Sequence, residues 1–145
     1  MGSKYHKRSR IPLIKQAFRL VNDYPESHYT FRKGILIWYG EIRPLPLSRL
    51  YKIKIICEGY LHRPKVVLYG DKVDGIERDD FPHNFGKNLQ KQEAILCLHM
   101  PYEFNYYDMW IADTIVLWTQ EWLCHYEIWL ATEEWCGGGH SSPVA

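Results

Sequence analysis

Residues 93–104 read EAILCLHMPYEF, and Cys97 is the residue in them best able to do chemistry. A thiolate is a strong nucleophile when it is partly exposed and has a donor or positive charge beside it. Cys97 follows a long polar stretch, which favours a rim position. His99 lies two residues on and would point the same way in an extended chain. His83 and Asn84 lie upstream, within reach if the intervening segment folds back. Leu96 and Leu98 favour the opposite reading, a buried thiol packed as a small hydrophobe. Zinc is a third reading, drawn from CLH and CGGGH, but zinc sites use paired ligands at short fixed spacing and neither piece has a matching partner. A cysteine–histidine dyad with His83 or His99 is a fourth, without any protease signature around it. Cys57 and Cys124 fall inside regular patterns and read as structural, and Cys136 borders the glycine-rich end.

The elements that position these residues follow from periodicity. Pro12 to Tyr24 reads as one amphipathic helix, with Ile14, Phe18 and Val21 at helical spacing and Pro25 as its stop. Three strand-like runs follow. FRKGILIWYGEIRP sets Ile35, Ile37 and Tyr39 against Leu36 and Trp38, RLYKIKIICEGY sets Tyr51, Ile53 and Ile55 against Lys52 and Lys54, and KVVLYGDKV is shorter. Short proline- and glycine-bearing connections make them an antiparallel meander. Residues 74–94 show no period and are expected as a long functional loop. The last element places Ile111, Ile115, Trp118, Trp122 and Trp129 on one helical stripe, started by Asp108 and closed by Gly137–Gly139, with its tryptophans packed. The sum is an α+β domain with helices on an antiparallel sheet. Residues 1–10 are expected as a flexible basic arm, 11–136 as a single domain and 137–145 as a Gly-rich tail.

Composition narrows the function. A net charge of +1 gives no global field for nucleic acid or anionic lipid. No apolar run reaches the ~18 residues a membrane span needs, so a soluble, cytoplasmic protein with four free thiols is expected. No phosphate-binding loop is present, and no cofactor or metal is expected. Tyr102, Phe104, Tyr106 and Tyr107 form either an exposed contact patch or packing for the last helix.

The order helix, meander, long loop, cysteine, helix resembles that of the ubiquitin-conjugating enzymes. GEIRPLPLSRLYKIKI resembles their first-to-second strand hairpin, RPKVVLYG their third strand, FPHNF their His-Pro-Asn segment and ILCLH their active-site motif. The Trp-rich helix and Gly-rich, His-bearing tail resemble the bacterial branch found with antiviral CBASS operons, and the likeness covers about residues 30–140. The resemblance implies a ubiquitin-conjugating-like fold and an acyl carrier. Cys97 matches the thioester-forming cysteine and His83 the histidine that braces the active-site flap. Asn84 stands in the place of the oxyanion-stabilising asparagine, and His99 is placed to tune the thiol. Here the order is Pro-His-Asn, and Cys97 follows Asn84 by 13 residues, a longer gap than the family's. The implied partners are the C-terminus of a cGAS-like nucleotidyltransferase and a target lysine, with no nucleic acid and no membrane. The alternatives are conjugation of a bacterial ubiquitin-like modifier that depends on an activating enzyme, and a non-catalytic binding module. Residues 12–24 and 100–107 are the expected docking surfaces.

Overall fold

The computed structural model describes residues 9–98 and 104–137. Helix α1, Leu13–Asp23, leads into β1, His28–Arg32, and four further strands follow at β2, Ile35–Ile42, β3, Tyr51–Cys57, β4, Lys65–Tyr69, and β5, Asn84–Asn88. Strand β6, Glu93–Leu96, a single 3-10 turn, Ile111–Asp113, and helix α2, Ile115–Thr132, complete the order. The strands form one antiparallel sheet in the order β1-β2-β3-β4-β6-β5. The α+β class and the antiparallel sheet are as the sequence predicts.

Register puts the apolar residues of alternate positions on one face. Trp38 pairs with Ile55, Ile53 with Leu68 and Leu68 with Ala94, so all of these point toward the helices. They join Ala17 and Leu20 of α1 and Trp122, Leu123, Tyr126 and Trp129 of α2 in one buried cluster. Trp38 is fully buried, donates from Nε1 to Ser27 Oγ at 2.9 Å and meets Tyr24 edge-on. Its ring lies over Gly40 of the same strand so closely that a Cβ there would overlap it, which is why that position is glycine. Glu127 ties α2 to the sheet by accepting from Ser48 Oγ and Tyr51 OH, each at 2.7 Å.

Helix α1 stands where expected, but it buries a different face. Leu13, Gln16, Ala17 and Leu20 face the core, whereas Phe18 is 55% exposed. Two apolar lines run along this helix one residue apart. The buried one contains Gln16, whose polarity disguises it in the sequence. Gln16 is fully buried because both ends of its amide are used: Nε2 donates to the Met109 carbonyl at 3.0 Å, and Oε1 accepts from Ile111 N–H at 2.9 Å.

Three further expectations are corrected. The sheet has six strands, not three. β1 precedes the predicted meander, so GEIRPLPLSRLYKIKI is the second-to-third strand hairpin and RPKVVLYG carries the fourth strand. Residues 74–94 are not one irregular loop, because β5 and the start of β6 form a hairpin within and beyond them. The last element is two pieces. Asp108 lies in a turn and donates its N–H to Asn105 Oδ1, α2 starts only after Thr114, and its end is a left-handed Glu133 rather than a glycine. Its buried stripe is Ile115, Thr119, Trp122, Tyr126 and Trp129, so the tryptophans at 122 and 129 pack as expected. Among the described residues no helix is long and apolar enough to cross a membrane.

Candidate active site

The β5–β6 hairpin decides where Cys97 stands. Asn84 pairs with Leu96, and the Cys97 backbone N–H donates to the His83 carbonyl at 3.0 Å. The upstream residues His83 and Asn84 are therefore folded back against the cysteine, across the 13-residue gap, by an ordinary antiparallel ladder. The register slips between Asn84 and Gly86, a bulge beside the residue in question.

His83 has φ of 23°, in the positive region where a non-glycine residue is strained. Its carbonyl accepts twice, from Cys97 N–H and from the Trp122 indole Nε1 at 3.2 Å. Its imidazole stacks on Trp135 with ring centroids 5.0 Å apart and 28° between planes. Asn84 turns its side chain back, donating from Nδ2 to the Phe81 carbonyl at 3.1 Å. Phe81 in turn is buried among Trp122, Tyr126 and Trp129, so the segment hangs from the core by an aromatic anchor.

Cys97 is 7% exposed, less than a rim residue would be. Burial pushes its thiol above the ordinary value, and the Arg63 guanidinium opposes that shift. Arg63 also lines a cleft of about 370 Å³ with Leu61, His62, Phe85, Ile95 and Leu96. Leu61 is 88% and Phe85 59% exposed, so the lining combines exposed apolar side chains with the basic Arg63 and Lys65.

His83, Asn84 and Cys97 come together; His99 and Tyr102 lie outside the described residues, as do Gly138, Gly139 and the rest of the tail. Phe104 and Tyr106 are buried, Tyr106 donating from its hydroxyl to the His62 carbonyl, so these two serve packing and not an exposed patch. The other cysteines stand in different settings. Cys57 is fully buried and pushed up to about 12, Cys124 donates from Sγ to the Pro44 carbonyl, and Cys136 is exposed. Arg63 and Trp135 are not legible as site residues in the sequence. A basic loop residue carries no signal of its own, and a tryptophan beyond a helix end gives no period.

The thiol's setting makes a measurable prediction. Alkylation of Cys97 at neutral pH is expected to run about tenfold slower than that of exposed Cys136. Its rate midpoint lies above that of an ordinary thiol, because burial disfavours the charged thiolate. Arg63→Ala removes a cation that favours the thiolate, so the midpoint moves further up. Peptide mass spectrometry across a pH series checks this, and a downward move would contradict it.

No curated protein matches this chain. A family model described as Type II CBASS E2 protein matches residues 16–143, nearly the whole chain. With a cysteine seated at the end of β6 and a His-Asn pair laid against it, the chain belongs to the Type II CBASS E2 protein family.

Proposed function

We propose that Cys97 is an acyl carrier, holding the C-terminus of a cGAS-like nucleotidyltransferase as a thioester and passing it to a target lysine. The transfer would tune anti-phage cyclic-nucleotide signalling. One observation carries the reading: within an E2-family chain, Cys97 is the cysteine that follows a strand end and is held by its backbone against the His83–Asn84 turn.

The chemistry runs in two balanced steps. The Cys97 thiolate attacks an activated C-terminal carbonyl, forms a C–S bond and expels the activating group with its electron pair. A neutral lysine amine then attacks the thioester, the C–S bond breaks with the pair on sulfur, and the surplus amine proton passes to solvent. A raised thiol pKa makes Cys97 quiet at rest and calls for a base or a charge at the moment of attack. His99, two residues on, is the candidate for that role. An amide NH₂ has two donors, so Asn84 can hold Phe81 with one and present the other to a tetrahedral oxyanion. His83, stacked and held through its carbonyl, braces the turn.

Co-expression with the neighbouring nucleotidyltransferase, followed by reducing and non-reducing gels, tests this. A higher-mass adduct that thiol removes is expected, and Cys97→Ser should convert it to a thiol-resistant oxyester. Absence of any adduct, with partner binding intact, would overturn the carrier reading in favour of a binding module.

A further inference from the structure

The chain does not leave the site when α2 ends. Left-handed Glu133 closes the helix, donating its N–H to the Trp129 carbonyl at 2.7 Å, and turns the chain back. That reversal lays Trp135 on the His83 ring at 5.0 Å, against Trp122 at 5.5 Å and against His125 at 5.7 Å. Gly137 then passes so close that a Cβ on it would fall on the Trp135 ring and 3.0 Å from His125 Cγ. Trp135, half-buried, is thus packed against two histidines, a tryptophan and the following backbone.

Two details give this packing a purpose beyond filling space. The indole Nε1 of Trp135 is buried without a hydrogen-bond partner among the described residues, so the ring is held there by its faces and not by its N–H. The residue it covers, His83, has a strained positive φ and supplies the carbonyl that receives the Cys97 N–H. Strained backbone persists only when its surroundings over-determine it. Trp122 grips the His83 carbonyl from one side, and Trp135 covers the imidazole.

We propose that Trp135 is a positioning residue for Cys97. Stacked on His83, it holds the His83 carbonyl against the Cys97 backbone and so fixes the cysteine at the end of β6. This rests on the acyl-carrier reading for its consequence in catalysis, but not for its effect on the thiol. The segment after α2 thereby becomes part of the active-site wall, although it lies 38 residues beyond the cysteine.

The test uses the full chain with Trp135→Ala, Trp135→Phe and Gly137→Ala. Iodoacetamide labelling of Cys97 is followed by peptide mass spectrometry, with fully buried Cys57 as the reporter of general unfolding. Trp135→Ala is expected to speed Cys97 labelling about fivefold while Cys57 stays unreactive. Gly137→Ala, which displaces the ring without deleting it, should give a smaller rise of about threefold. Trp135→Phe keeps an aromatic stacking face while losing the unpartnered N–H and part of the ring area, so it should stay within about twofold of the parent. In thioester formation, Trp135→Ala should lower kcat about tenfold with KM little changed, and Phe should restore it. Unchanged labelling in Trp135→Ala, or Cys57 reacting in step with Cys97, would overturn the proposal. Should labelling respond to Trp135 while the parent protein never carries an acyl group, it is the carrier reading that falls and not the link from Trp135 to Cys97.

Discussion

Cys97→Ala is expected to reduce thioester formation and transfer to background, a loss of about 10⁴-fold or more, while the protein stays folded. No other described cysteine donates its backbone N–H to the His83 carbonyl. Cys57 is sealed in the core, Cys124 on α2 is engaged with the Pro44 carbonyl, and Cys136 is exposed on the segment after α2. The stability cost should be only about 1 kcal/mol, because Cys97 sits at a strand end and outside the main buried cluster. Cys57→Ala is the contrasting case. That thiol is fully enclosed beside Tyr106, so its removal leaves a void and should cost about 1–2.5 kcal/mol with little change in acyl transfer. Thermal melts and the thiol-sensitive adduct, read on both variants, separate a structural cysteine from a chemical one. If Cys97→Ala kept its adduct, or if the two variants exchanged their stability costs, the roles assigned to the two cysteines would be wrong.

What the sequence discloses depends on whether a residue's neighbours lie close in the chain. Strand β3 is legible because Tyr51, Ile53 and Ile55 alternate with lysines, and a half-buried strand needs nothing more. Helix α1 is legible as a helix but not as to its face, because Gln16 is a polar residue at a core position and its two partners lie more than 90 residues away. Strand β5, NFGKN, is invisible to periodicity. As an edge strand with no fully buried residue on either face, it has no reason to alternate, and its glycine sits at the bulge. That one omission hid the most useful fact about the site, since the β5–β6 ladder is what carries Asn84 to the cysteine. Cys97 itself is legible through ILCLH and the resemblance it supports, and its low exposure through the flanking Leu96 and Leu98, which favour a buried thiol. Arg63 and Trp135 meet the site only through the folding of a loop and a chain reversal, and neither leaves a pattern in one dimension.

Phe81→Ala should be the substitution that most clearly joins core stability to the site. The ring is 4% exposed and lies 5.8 Å from both Tyr126 and Trp129 and 6.1 Å from Trp122. Deleting it from such a cluster is expected to cost about 3–5 kcal/mol, lowering the melting temperature by about 10 °C or more. The same residue's carbonyl holds Asn84 Nδ2 at 3.1 Å, two residues before the strained turn at His83 begins its ladder to Cys97. Losing the ring therefore loosens the anchor of the turn as well as the core. Leu20→Ala on α1 is the matched control: Leu20 is fully buried on a different element from the turn, and its loss should cost about 2–5 kcal/mol. At a temperature where both variants remain folded, Phe81→Ala should form adduct about tenfold more slowly than the parent, and Leu20→Ala within about twofold. Phe81→Leu, keeping most of the volume, should lose about 1.5 kcal/mol and recover most of the rate. Equal rates for the two alanine variants would mean that the His83–Asn84 turn keeps its place without Phe81, and that the aromatic cluster supports the fold alone.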